Sequence, residues 1–373
     1  MADPLLDDPV ALTAHLVAID SVNPSLVPDA VGEAPIAAVL ARLLADAGCE
    51  VTLLEAVPGR PSIVARLRGS GGGRTLMLNG HLDTVGLGGI EAPLTARIEG
   101  GRLWGRGALD MKAGVALMIV AALRAHRRGL RGDVLLACVA DEEHSSIGSY
   151  EVARTVTADA AIVTEPTRER LTIAHKGFVW AEIETAGTAA HGSRPDLGVD
   201  AIAAMGATLV GVGRLADDLA AGSAHPLLGC GSLHASLIDG GSELSTYPSS
   251  CRLQLERRTL PGEDGTRVAA ELRRIAPHAT VTITLEREPF EVARDAEIVT
   301  ILAGCAHTVL GHEPELVGAP YWTDAAALAA AGIPTVLFGP SGEGEHADEE
   351  WVELASIERC TSTLEATIAE FCR

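Results

Sequence analysis

The sequence predicts an α/β domain interrupted by an inserted α+β domain of the ferredoxin-like type, and three observations carry that prediction. Short, continuously apolar strand runs alternate with helical patterns over the first 175 residues; a β-α-β-β-α-β order follows; after about residue 290 the first pattern returns. A continuous apolar run suits a strand covered by helices on both faces. The expected boundaries are 1–175 and 289–373 for the interrupted domain and 176–288 for the insert. A chain of 373 residues is long enough to bury two such cores.

Taken in order, a helix is expected over about 8–20, ending at the breaker Ser21-Val22-Asn23-Pro24. A second helix over 32–48 spaces Ile36, Val39, Leu40, Leu43 and Leu44 along one face. Strands follow at 51–54, 62–67 and 75–79, then a helix near 112–128 and a strand at 134–140. Runs such as Thr75-Leu76-Met77-Leu78 and Val134-Leu135-Leu136-Ala137 mark a layered α/β architecture. In the insert, a strand at 178–185, a helix at 200–219, strands at 231–238 and 249–257, a helix at 264–275 and a strand at 279–286 give the split βαβ order. The strand at 334–338 returns to the first sheet.

Composition bounds the function. With 47% hydrophobic and 21% charged residues the chain is globular rather than disordered. It contains no uncharged apolar stretch of about 18 residues, so no membrane span is expected. The acidic start lacks a basic and apolar leader, which makes the cytoplasm the expected compartment. A formal charge of −21 argues against nucleic acid or an anionic membrane as partner. Seven cysteines lie far apart with no CxxC pair, so reduced thiols are expected rather than disulfides or a thiolate metal site.

The chemistry-bearing residues sit directly after apolar strands, where ligand crevices form in α/β sheets. Gly80-His81-Leu82-Asp83 offers an imidazole, a common zinc ligand, with a carboxylate near enough to orient it. Asp110 precedes an apolar helix and reads equally as its N-terminal cap or as a carboxylate bridging two ions. Asp141-Glu142-Glu143 places three acids at a buried strand end, where they repel one another unless a cation or solvent relieves them. Glu165 and His346 follow two further strands and read either as loop residues or as ligands. Together the set is a nitrogen and oxygen site suited to zinc, cobalt or manganese. One acid of the triplet would be left for proton transfer.

The chain resembles the family of acetylornithine deacetylase, succinyl-diaminopimelate desuccinylase, aminoacylase and glutamate carboxypeptidase. The matching segments are Ser21-Val22-Asn23-Pro24, Gly80-His81-Leu82-Asp83-Thr84-Val85, Gly105-Arg106-Gly107 with Asp110-Met111-Lys112, and Asp141-Glu142-Glu143. Thr164-Glu165-Pro166-Thr167, Ala190-His191-Gly192-Ser193, Arg258 with Pro261-Gly262-Glu263, and Phe338-Gly339-Pro340 with His346 continue the series along almost the whole chain. The resemblance implies a mixed-sheet zinc-peptidase-type catalytic domain with an inserted lid and dimerisation domain. It implies one ion held by His81, Asp110 and Glu165 and a second held by Asp110, Glu143 and His346. Glu142 falls on the general base and Asp83 on the carboxylate behind the first histidine. His191 matches an oxyanion-stabilising histidine, contributed in dimeric members by the neighbouring subunit. Arg258 matches the arginine that grips the substrate carboxylate.

Two departures stand out. Where many relatives carry Asn in the lid, this chain has Ser245, which offers a hydroxyl and no amide carbonyl, so substrate contacts there are expected to differ. Trp322, in Tyr321-Trp322-Thr323-Asp324-Ala325, either narrows the substrate pocket or packs into the core. His144 is expected to be exposed. The resemblance therefore implies a homodimeric, dinuclear metal amidohydrolase that deacylates an N-acyl-L-amino acid, acetylornithine-like compounds leading. A dipeptidase or carboxypeptidase using the same two-metal site is the alternative, and a non-catalytic binder of amino-acid derivatives is the other.

Overall fold

The computed structural model describes residues 3–373. Its packing divides into two compact units: the chain up to Ile173 with Val292–Val317 and Thr323–Arg373, and Ala174–Glu291 with Gly318–Trp322.

The first unit is built on a mixed sheet in which Glu50–Leu54, Ser62–Leu67, Val134–Val139, Leu76–His81, Ala160–Val163, Thr335–Leu337 and Leu171–His175 lie side by side in that order. The four strands from Val134–Val139 to Thr335–Leu337 run parallel, and the outer pairs are antiparallel. Leu76–His81 and Val134–Val139 are buried at every residue, which is why they read as unbroken apolar runs. The helix Ala113–His126 is buried around almost its whole circumference. Burying each of its Leu, Ile and Val side chains contributes roughly 1.5–3 kcal/mol. Because four neighbouring strands are parallel, their carboxyl ends meet at one edge. His81, Asp141, Thr164 and Phe338 all emerge there, whatever their separation in sequence.

A small antiparallel sheet of Gly342–Glu343, Trp351–Glu353, Arg102–Trp104 and Arg97–Glu99 has no counterpart among the expected elements. Its strands are two or three residues long and carry charges between apolar positions, so no period is measurable in them. Gly100 and Gly101, at φ +60 and +75, make the tight hairpin turn that only left-handed residues allow.

The second unit is a four-stranded antiparallel sheet ordered Ser232–Gly240, Ser250–Thr259, Gly177–Ala186, Thr280–Arg287. With the helices Ala201–Ala220 and Gly265–Ile275 this is the ferredoxin-like arrangement. Both helices start at an aspartate cap: Asp200 accepts from Ala203 N–H and Asp264 from Arg267 N–H. Met205, Val212, Leu215, Val268 and Leu272 pack on Val179, Ala181, Ile183, Leu253 and Leu255, the inward members of alternating strands. Gly318–Trp322 joins this unit, although the sequence pattern assigned it to the interrupted domain. The reason is local bonding: Lys176 N–H donates to Ala319 O at 3.2 Å and Trp322 Nε1 to Glu288 O at 3.1 Å.

Candidate metal centre

Five candidate ligands of the first unit converge in two trios, His81, Asp110, Glu165 and Asp110, Glu143, His346, with one ligand atom of each residue lying within 4.8 Å of its partners'. His81 Nε2 is 3.0 Å from Asp110 Oδ1 and 3.7 Å from Glu165 Oε1. His346 Nε2 is 3.3 Å from Asp110 Oδ2 and 3.0 Å from Glu143 Oε2. Asp110 therefore gives one oxygen to each trio. It is not a helix cap: it lies at a kink with φ −112 and ψ 96, before the helix that begins at Ala113. That helix packs on Thr164 so closely that a Cβ on Gly114 would meet the Thr164 carbonyl oxygen at 2.3 Å. Gly114 thus ties the segment bearing Asp110 to the segment bearing Glu165.

The donor set fits divalent cations. His81 Nδ1 lies 2.9 Å from the Asp83 carbonyl oxygen, which only accepts, so Nδ1 carries the hydrogen and a neutral ring aims the Nε2 lone pair at carboxylate oxygens. Such an array needs a proton or a cation between its members. Glu143 Oε1 is buried with no hydrogen-bond partner, an acceptor left for something else. Without a cation the protons redistribute. Burial lowers the His81 pKa, but the hydrogen bond to Asp110 and the charge of Glu165 outweigh it, raising the pKa well above the usual histidine value. Bonds to Asp110 and Glu143 push His346 up to about 10. Burial, reinforced by neighbouring carboxylates, raises Glu142 and Glu165 well above the usual range. Asp110 moves the other way: its burial is outweighed by the bonds to His346 and His81, which hold it below the ordinary value.

Asp83 lies beside His81 Nδ1 and also braces the main chain that carries Glu142 and Glu143. Its Oδ1 is 3.7 Å from His81 Nδ1, while its two oxygens accept the N–H groups of Glu142 at 3.1 Å and Glu143 at 3.2 Å. The shorter contact to His81 Nδ1, at 2.9 Å, is made by the Asp83 main-chain carbonyl.

His191, Ser245 and Arg258 belong to the second unit. Gly192 N–H donates to Ser245 O at 2.7 Å and His191 bridges to Thr246, so the His191 and Ser245 loops are neighbours. His191 Nδ1 accepts from Ser193 N–H at 3.2 Å, which leaves the hydrogen on Nε2 as a donor. Arg258 lies across the Phe178 ring at 5.0 Å and donates through Nε to Glu256 at 2.7 Å. Trp322 packs near His175, 6.1 Å between rings, with its indole nitrogen bonded to Glu288 O. His144 is exposed, as expected.

The profile of peptidase family M20/M25/M40 matches residues 77–370. The chain belongs to this family. It is 32% identical to an acetylornithine deacetylase of Myxococcus xanthus, covering 89% of this chain and 87% of the relative. It is 30% identical to a succinyl-diaminopimelate desuccinylase of Cereibacter sphaeroides, covering 94% and 95%. The crystal structure of an aminopeptidase PepT from Bacillus cereus superposes with a TM-score of 0.81 at 21% identity over 99% of both chains, a likeness of fold. Family membership makes the chain a metal-dependent hydrolase of amide bonds.

In this family member, several site-building residues were not foreseen. Glu350 is buried and accepts from the N–H groups of Gly107, Leu109 and Asp110 and from Arg106 Nη1, fixing the loop that presents Asp110. Only its position before a short strand could have marked it, among three consecutive acids that read as a solvated loop. Replacing Glu350 with Ala orphans these donors and leaves Arg106 buried and unpaired. The expected loss of stability is about 3–5 kcal/mol, measured by urea unfolding. Asp324, buried with Oδ1 unpartnered, is pushed up to about 7 by its burial. Its charge in turn helps raise Glu142 and Glu165.

Proposed function

We propose that this chain deacylates an N-acyl-L-amino acid, acetylornithine-like compounds leading, at a centre of two divalent ions held by His81, Asp110, Glu165, Glu143 and His346. The sharing of Asp110 between the two trios, one oxygen each, is the observation that carries the reading. Zinc suits this donor set best, with cobalt or manganese as substitutes. Ions held there supply Lewis-acid polarisation of the amide carbonyl and acidify water.

The chain's own groups do the rest. Glu142, raised in pKa and adjacent to the ligand Glu143, accepts the proton of the attacking water on its carboxylate and returns it to the leaving amine nitrogen. Asp83 holds the main chain of Glu142 and Glu143 by its two oxygens. His191 donates Nε2–H to the developing oxyanion, in its own or a partner subunit, a contribution on the order of 3 kcal/mol when one such donor is lost. Arg258 presents a planar fork to the substrate carboxylate. Ser245, beside the His191 loop, contacts the substrate through its hydroxyl.

The test is free-amine release from a panel of N-acyl-L-amino acids and dipeptides by metal-loaded protein, with a chelated blank. Metal-dependent release from an acyl amino acid supports the reading; release from dipeptides alone moves the assignment to peptidase. Silence across the panel overturns it.

The second unit is proposed as the dimerisation domain of a cytoplasmic homodimer. Ser232–Gly240 is an edge strand, and Leu237 and Ile238 on it are 67% and 56% exposed. An apolar edge of this kind invites pairing with another chain. Leu237→Asp combined with Ile238→Asp is expected to yield a monomer in sedimentation velocity, against a dimer for the unmodified chain. Among the described residues no helix is long and apolar enough to cross a membrane.

A further inference from the structure

We propose that Arg60 and Asn23 are positioning residues: a buried clamp that sets the turn after Val134–Val139 and so places Glu142 and Glu143. The inference rests on the reading of Glu142 as the proton carrier and Glu143 as a ligand.

The turn is one that the local sequence does not favour. Asp141 has φ +69, in the left-handed region that residues with a Cβ seldom occupy. Contacts from far back in the chain hold it there. Arg60 Nη2 donates to Asp141 Oδ1 at 2.8 Å and to Asn23 Oδ1 at 3.1 Å. Arg60 also grips Glu33 through Nε and Nη2, at 2.6 Å each. Glu33 Oε1 in turn accepts the Asp141 N–H at 3.1 Å. Asn23 Nδ2 donates to Asp141 Oδ1 at 3.0 Å and to Asp83 Oδ2 at 2.7 Å. Asp83 receives the N–H groups of Glu142 and Glu143. A continuous line of bonds thus runs from Arg60 through Asn23 and Asp83 to the main chain of both working acids.

The charges explain why the clamp is an arginine. Asn23, Glu33 and Asp83 are fully buried, and Asp141 and Arg60 are 2% and 9% exposed. Two buried carboxylates, Glu33 and Asp141, therefore share one guanidinium, and its loss would leave buried charges unpaired. Its planar fork meets Glu33 with two parallel bonds while still reaching Asp141 and Asn23. A lysine ammonium keeps the charge but lacks that geometry. Arg60→Lys therefore tests placement rather than charge. Asn23→Ala leaves the Arg60 ion pairs with Glu33 and Asp141 in place and removes the Asn23 bonds to Asp83, Asp141, Arg60 and the Ser25 N–H.

Amide hydrogen exchange and kinetics on the metal-loaded full chain decide the matter. In both variants, exchange at residues 142–146 is expected to rise about tenfold or more, the scale of one lost hydrogen bond. The strands Leu76–His81 and Ala160–Val163 should keep their protection. The kcat should fall about 10–100-fold, as when partners behind a ligand are lost, with KM unchanged. The double variant should lose less than the product of the single losses, because both residues act through one line of bonds. Unchanged exchange at 142–146 in both variants overturns the clamp, and so does a uniform loss of protection across the first unit. If the unmodified chain turns over no substrate, the functional reading fails separately, and the exchange pattern alone upholds or overturns the clamp.

Discussion

Glu142→Gln is expected to lower kcat by about 10²–10⁴-fold, the range that general acid–base catalysis supplies, while metal content and fold persist. The amide has the shape of the carboxylate but cannot take up the proton of water. The native side chain is a carboxylate whose pKa is raised by burial and by the charges of Glu165, Asp324 and Glu143. Steady-state kinetics with metal analysis by plasma spectrometry read the result. Activity within about tenfold of the unmodified chain would remove Glu142 from the proton-transfer role. Loss of activity together with loss of metal would make it a ligand instead.

Asp110→Ala should have an effect of similar or greater size, by a different route. Each trio loses one of its three ligands, so bound metal should fall from two ions per chain toward none after dialysis. Activity should drop beyond the roughly 10–100-fold typical of residues behind the ligands. The same centre predicts how metal binding depends on pH. A ligating histidine must be neutral, and His346 in the metal-free protein holds its proton up to about 10. Its folded pKa is raised, so the stability it lends the metal-free protein is complete below the ordinary histidine value and fades as pH rises through about 10. Metal competes with that proton. Apparent metal affinity should therefore climb steadily from pH 6 to 9 in a chelator-competition titration, and a flat profile would contradict this protonation pattern.

The sequence was most informative where a side chain's job follows from its place on an element. His81, Glu143 and Glu165 could be singled out as candidates because His81 ends, and Glu143 and Glu165 follow, a buried parallel strand, and apolar runs mark such strands without reference to the rest of the fold. The order of elements in the second unit was legible for the same reason, since its strands alternate and its helices are amphipathic. Residues that act by holding other residues were not legible. Arg60, Glu33 and Glu350 reach partners 81, 108 and up to 244 positions away, and nothing in their neighbourhoods separates them from surface charges. Asp83 shows the limit of local reasoning. Its spacing from His81 suggested one contact, but not that its carboxylate also accepts from the main chain of a distant turn. The small sheet around Trp104 and Trp351 escaped because strands of two or three residues carry no period.

The placement of Thr335–Leu337 between Ala160–Val163 and Leu171–His175 governs the order in which a growing chain can assemble. The first unit's sheet lacks an interior strand until translation has passed residue 337, and His346 is made later still. The second unit, apart from Gly318–Trp322, is complete by Glu291 and consists of antiparallel neighbours. On the ribosome the insert can therefore fold while the sheet that surrounds it in sequence waits with a gap and two exposed edges. During that interval the chain is most open to aggregation and to chaperone capture. Truncation before residue 334 should leave a folded insert attached to an unfinished sheet.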